Sequence, residues 1–291
     1  MNATWVLPGR QDAATPKRRR RRPRWLVLAS FVVLVLLIAC ALVGPLLSRD
    51  PQAQVLADAL MPPMSTGRGG LYVLGSDELG RDQLARVLSG LRSTLLLCGA
   101  STLAAMLVGS ALGILSGYFR GLVDDIVMRI VDVLLAMPGI VTVMLVVTLL
   151  GASVPTIILV LSLMSSMTFA RVMRSRVIAL REQDLLGAVR SLGASTTRII
   201  LRHVVPNTAG LVVVIATLEL ASLIVVEASL DYLGLGIQPP APTLGNMIAG
   251  GQTAITAGIW WPVLVPGAAI TALIMCVNVI GDWLRDRLDP R

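Results

Sequence analysis

Lysine occurs once, at Lys17, and histidine once, at His203. The first scarcity excludes a nucleotide-hydrolysing G-x-x-x-x-G-K-[ST] loop, which needs its lysine to reach the β and γ phosphates; Lys17 lies instead in an arginine-rich tail. The second excludes a zinc site assembled from histidines, and His203 is read as a structural polar side chain. The three cysteines, Cys40, Cys98 and Cys276, stand apart in apolar runs without pairing or metal-ligand spacing, and read as small packing residues. Neither H-E-x-x-H nor G-x-S-x-G occurs. An intramembrane enzyme would need acid, base or metal groups within reach of one another, and the apolar runs show no paired histidines with a carboxylate.

Charge is also scarce, at 14% of residues, whereas 55% are hydrophobic and the mean hydropathy is +0.79. Such a composition lies outside the range of soluble domains. A helix crosses the hydrocarbon with about 20 mostly apolar residues. Six stretches qualify: Trp25 to Leu47, Ser93 to Tyr118, Ile126 to Leu150, Val154 to Met173, Leu211 to Leu233 and Trp261 to Trp283. They predict an all-α, polytopic membrane protein with six transmembrane helices. Its expected parts are a basic cytoplasmic tail over 1–24, a first transmembrane helix over 25–47, an extracytoplasmic loop over 48–92, a five-helix core over 93–283 containing a cytoplasmic loop over 174–208, and a cytoplasmic tail over 284–291.

The net charge of +8 is unevenly placed. Lys17 and the arginines up to Arg24 crowd the tail, and Arg171, Arg174, Arg176, Arg181, Arg190, Arg198 and Arg202 crowd the loop after the fourth span. Basic segments beside spans stay in the cytoplasm, so both regions are expected inside, and six spans then put both termini there. The tail reads as a topology signal near anionic lipid rather than a nucleic-acid arm. Leu37-Ile38-Ala39-Cys40 imitates a lipoprotein cleavage box, but the apolar run continues to Leu47, and an uncleaved first helix is expected. Trp25, Trp260, Trp261 and Trp283 fall at span ends, where indoles anchor depth.

Within the spans, Gly109, Gly113 and Gly117 repeat every four residues and predict a close helix-packing ridge. Pro138 and Pro266 each remove a helical hydrogen bond and favour a kink. Charged groups in a span are costly and mark either function or interhelical anchoring. Arg129 and Asp132 are placed to pair on one face; Glu219, Glu227 and Asp231 line the fifth span as candidates for a translocation path.

Between Asp184 and Leu192 the apolar positions share one helical face. Gly193 is suited to end that helix, and Ser195 to cap a second one running to Val205, which Pro206 is expected to stop. Two short helices joined by a tight cytoplasmic turn result. As residues alone, they fit either a rod pushed by a partner or an interfacial helix held to headgroups by Arg198 and Arg202.

This stretch resembles the E-A-A-x3-G-x9-I-x-L-P loop of bacterial binding-protein-dependent ABC transporter permeases, with Gly187-Ala188-Val189 at E-A-A, Gly193 at the glycine, His203 at the isoleucine and Val205-Pro206 at L-P. Further segments, LGSDELGRDQLARVLSGLRSTL from Leu74, GYFRGLVDDIVMRIVDVLLAMPGI from Gly117, VEASLDYLGLGIQPPAPTLGNMI from Val226 and PGAAITALIMCVNVIGDWLRDRLDP from Pro266, are similar to the C-type permease subunit of dipeptide, oligopeptide and nickel importers. The resemblance implies a cytoplasmic coupling-helix loop that docks in a cleft of an ATPase through Asp184, Gly187, Ala188, Val189, Arg190, Leu192, Gly193 and Ala194. It implies as partners a second homologous permease, two ATP-binding domains or subunits and an extracytoplasmic substrate-binding protein, all at the bacterial cytoplasmic membrane. No cofactor is expected in this chain, since ATP and Mg would be bound by the partners; no nucleic acid is expected either. Gly187 departs from the family glutamate and weakens the local helix by up to about 1 kcal/mol relative to alanine. The implied function is a peptide permease coupled to ATP hydrolysis elsewhere. A nickel or small-solute permease and a secondary transporter driven by an ion gradient through Arg129, Asp132 and Glu219 are the alternatives.

Overall fold

The computed structural model of the chain describes residues 23–182 and 191–288. Its first helix, α1 (Arg24–Leu47), runs unbroken past Cys40 and lies against the second and last helices, with most of its side chains outward. A compact cap follows, holding the hairpin of β1 (Ser65–Gly67) and β2 (Gly70–Tyr72). Helix α2 (Gln83–Phe119) starts upstream of the apolar run because Asp82 caps it, its side chain accepting from Leu84 N at 3.1 Å. A hydropathy window misses those first turns, which carry Arg86 and Arg92.

The third apolar run is two helices, α3 (Leu122–Ala136) and α4 (Gly139–Leu150), bent by 92°. Pro138 accounts for the break. A residue before proline is pushed out of the helical region, and Met137 is extended at φ −85° and ψ 139°. Helix α5 (Val154–Arg181) then returns, and it outlasts its apolar stretch by two turns that carry Arg174, Arg176 and Arg181.

Helix α6 (Thr196–Tyr232) is continuous, so Pro206 does not stop it as expected. Proline has no N–H for the preceding turn and crowds its carbonyl. Here Ile200 to Val204 widens into a π turn, and Pro206 falls in the first turn of the α segment that follows. Two short helices, α7 (Leu244–Gly250) and α8 (Gln252–Thr256), lead to α9 (Trp261–Leu288). Five helices, α1, α2, α5, α6 and α9, are long and apolar enough to cross a bilayer, and the bent pair makes a sixth if counted as one span.

The most extensive helix contact among the described residues joins α2 to α5. A Cβ on Gly113 would stand 2.5 Å from Ala170 O, one on Gly117 2.8 Å from Arg174 O, and one on Gly109 would collide with Ser166 O. Only glycine lets the backbones approach this closely, and in lipid such packing, not apolar burial, holds helices together. Around the seam, Leu97, Cys98, Ile157, Leu161, Ile224, Leu244 and Leu273 form the main core.

Polar knots fix the ends. Asp58 accepts from Arg68 N at 3.0 Å, Gly69 N at 2.7 Å and the Tyr72 hydroxyl at 3.0 Å. Chiefly the Gly69 N–H, against an opposing desolvation and helped by Arg68 N–H and Tyr72, holds its carboxyl below the usual aspartate range, whereas burial pushes the Tyr72 phenol up. Burial likewise raises Asp82, opposed by the Leu84 N–H. Trp261 is only 9% exposed and donates from Nε1 to Ser76 O at 3.0 Å. It latches the cap onto α9 instead of standing in headgroups, unlike the exposed Trp25, Trp260 and Trp283. Pro266, four residues on from Pro262, cannot donate to that carbonyl; the Gln83 side-chain amide donates to it instead, at 3.1 Å.

Candidate functional site

The junction between α5 and α6 is built from local rules. The segment holding Asp184, Gly187, Ala188, Val189 and Arg190 lies outside the described residues. Beyond it, Leu192, Gly193 and Ala194 form the turn. Gly193 has φ +81° with open space around its α-carbon, a conformation that other L-residues adopt at a cost of about 1–2 kcal/mol. Ser195 caps the following turn, accepting from Arg198 N at 3.4 Å. Leu192 is 87% exposed. Its large apolar side chain therefore projects beside the turn without cover from the described residues.

Behind this turn the end of α5 is tied down. Arg174 donates from Nε and from a terminal nitrogen to the two oxygens of Asp124, both at 2.5 Å, and Ser116 Oγ donates to the same carboxylate at 2.7 Å. Two parallel bonds to one carboxylate fix both angle and distance. Asp132 pairs with Arg171 at 2.5 Å, not with Arg129 as its spacing suggested. A partner on α5 wins because α3 packs across that helix, while Arg129 stays exposed. Arg181 donates to Tyr118 O at 2.6 Å and lies over the Tyr118 ring, and Arg120 meets Glu182 at 2.8 Å. Sequence reasoning missed these pairs, although Asp124 in the first turn of a helix was a usable signal.

Of the carboxylates on α6, Glu219 is half-buried and accepts from Ser165 Oγ of α5. Glu227 is 1% exposed, with Thr94 Oγ1 of α2 at 3.3 Å from each oxygen. Asp231, 3% exposed, sits a turn further on and accepts from Ile237 N at 2.9 Å. The chain folds back over it: Gly236 packs directly on the Asp231 carboxylate, and a Cβ on Gly245 of α7 would meet Ala228 O at 2.6 Å. Thr243 and Asn246 close α7 with reciprocal bonds of 3.2 and 3.1 Å. Glu227 and Asp231 are therefore held inside the packing of α2, α6 and α7, and Glu219 bridges α6 to α5.

The described residues form a bundle with an exposed turn at one end and a latched cap at the other. Comparison with known proteins agrees. Residues 109–291 match the family described as "Binding-protein-dependent transport system inner membrane component". A di/tripeptide transport system permease protein of Pseudomonas aeruginosa (strain UCBPP-PA14) is 34% identical over 266 residues, covering 91% of this chain and 88% of that protein. A dipeptide transport system permease protein of Bacillus subtilis (strain 168) is 35% identical over 274 residues, 94% of this chain and 84% of that one. Among solved structures, an inward-facing MetNI methionine ABC transporter aligns with a TM-score of 0.55 at 20% identity, over 70% of this chain and 96% of its own. That likeness concerns the fold alone.

Proposed function

Since the chain belongs to the family of binding-protein-dependent transport system inner membrane components, we propose that it is a permease subunit of an ATP-driven importer of dipeptides and oligopeptides. The reading is carried by the similarity to di/tripeptide and dipeptide permeases over nine-tenths of the chain. The chain does no covalent chemistry. ATP and Mg are bound by two partner ATPase domains, a second homologous permease completes the path, and an extracytoplasmic binding protein delivers the peptide. The basic tail and the 174–208 loop face the cytoplasm, and the 48–92 region faces outward, as the arginine distribution supports.

Coupling runs through the loop. Asp184, Gly187, Ala188, Val189, Arg190, Leu192, Gly193 and Ala194 dock in a cleft of the ATPase, and closure of the ATPase pair displaces the turn. The exposure of Leu192 and the positive φ of Gly193 support this contact. With Gly187 in place of the glutamate of the E-A-A pattern, docking rests on shape more than on charge. Glu219, Glu227 and Asp231 are assigned to the neighbourhood of the path, and Glu219 is the least enclosed of the three.

The test is uptake of a labelled dipeptide by vesicles holding the assembled importer. Uptake should require ATP, and deletion of Asp184 to Pro206 should abolish it. Uptake that survives the deletion, or that follows a proton gradient when ATP is depleted, overturns the proposal.

A further inference from the structure

A cleft of about 580 Å³ opens between α5, α6 and α9. It belongs neither to the coupling turn nor to the carboxylates. Arg176 and Arg285, close to the C-terminal ends of α5 and α9, and Asn207, just past the π turn of α6, line one end, while Leu211, Val214 and Leu218 carry the wall onward along α6. At 1.5 Å per residue, the wall from Asn207 to Leu218 is about 16 Å long. Along that length it passes from cationic to hydrocarbon, as one leaflet of a bilayer does from headgroup to acyl chain.

The two arginines are set apart from their neighbours. Arg171, Arg174 and Arg181 are committed to Asp132, Asp124 and the Tyr118 carbonyl on one side of α5. Arg176 follows Arg174 by two residues, about 200° around the helix, and so turns to the opposite side. Neither Arg176 nor Arg285 forms an ion pair with a described residue. Asp282 and Asp286 of α9 are not among the lining residues. Guanidinium groups with no ionic partner among the described residues, set beside an apolar wall in a membrane, attract an anion, and guanidinium matches phosphate oxygens in pairs.

We propose that this cleft binds an anionic phospholipid, its phosphodiester held between Arg176 and Arg285 near the Asn207 amide and one acyl chain laid along Leu211, Val214 and Leu218. A soluble anion would leave the wall unused, and a neutral lipid would leave the charges unanswered. Basic pockets between transmembrane helices are a recognised means of holding such headgroups. The bound lipid would brace α6 against α5 and α9 just below the π turn.

Native mass spectrometry of the intact importer complex tests this with phosphatidylglycerol and phosphatidylcholine of identical chains. The wild type should retain phosphatidylglycerol about tenfold better, a margin within the reach of one charge-assisted contact, and R176Q/R285Q should remove that preference, with R176K/R285K intermediate. Equal retention of the two lipids by the wild type, or full retention by R176Q/R285Q, overturns the site. Displacement by millimolar inorganic phosphate would show that a free anion is the true occupant and overturns it too. If the glutamine variant fails to assemble, a phosphatidylglycerol with a photoreactive acyl chain decides on the wild type: labelling should fall on α6 around Val214, and labelling confined elsewhere refutes the site. The site rests on the importer reading for its complex, but none of these readouts depends on peptide uptake, so loss of the lipid preference leaves the permease assignment standing.

Discussion

At Gly113 a single hydrogen atom decides whether two long helices can touch. A Gly113→Leu substitution must push Ala170 O away, and overpacking of this kind costs about 1–3 kcal/mol or more; the thermal midpoint of the solubilised complex should fall accordingly. Gly99, on the same helix with nothing within 4 Å, is the control. Its replacement by alanine should be neutral or stabilising by up to about 1 kcal/mol. Gln83 makes the complementary case. Gln83→Leu strands the Pro262 carbonyl inside the molecule, and a buried unsatisfied acceptor costs about 1–3 kcal/mol, readable as a lowered midpoint with transport direction unaffected. The glycine ridge was legible because spacing alone defines a face. The Gln83 and Trp261 contacts were not, because each joins residues more than a hundred positions apart through one atom, and an indole at a span end reads equally well as an interfacial anchor.

Among the elements, the apolar runs were plain in the sequence and their boundaries were not. Helices α2, α5 and α6 all extend past their hydropathy limits through polar turns whose side chains find partners or face water. Proline behaved in two ways. Pro138 breaks its run by forcing Met137 extended, while Pro206 is absorbed by a wider turn, and the difference lies in what the neighbouring backbone can accommodate. Single π turns often mark functional positions. In Pro206→Ala an N–H is restored, and the π turn should tighten toward α-helix, rotating everything on its coupling-loop side. Peptide-stimulated ATP hydrolysis by the reconstituted importer should then drop several-fold while its thermal midpoint stays near wild type; unchanged stimulation would show that the wider turn is only a packing accommodation. The candidate coupling residues were found in the sequence by family likeness and by the signals at Gly193 and Ser195, whereas the bonds that hold α5 behind them needed three dimensions.

For the whole molecule, six apolar runs gave the helical architecture, yet the region between the first two spans looked like an unremarkable loop. It is a knotted cap centred on Asp58, whose short-range polar pattern has no periodicity to betray it. Because the folded carboxyl titrates below its unfolded value, its stabilising contribution is present in full above the unfolded pKa and is lost as pH falls through the folded one. The protection of the Arg68 and Gly69 amides, measured against their intrinsic exchange at each pH, should fall on acidification below about pH 4, and Asp58→Asn should show lower protection at neutral pH and lose that dependence. The seam between α2 and α5 has a larger consequence. With three glycines along the seam, and with Ser116 of α2 and Arg174 of α5 both bonded to Asp124 of α3, these two helices are fastened along their length. Under the proposed coupling, a stroke arriving through Gly193 would meet resistance on the α5 side and pass to α6, whose widened turn is the first break in regular helix it would meet, so α6 is the member expected to move.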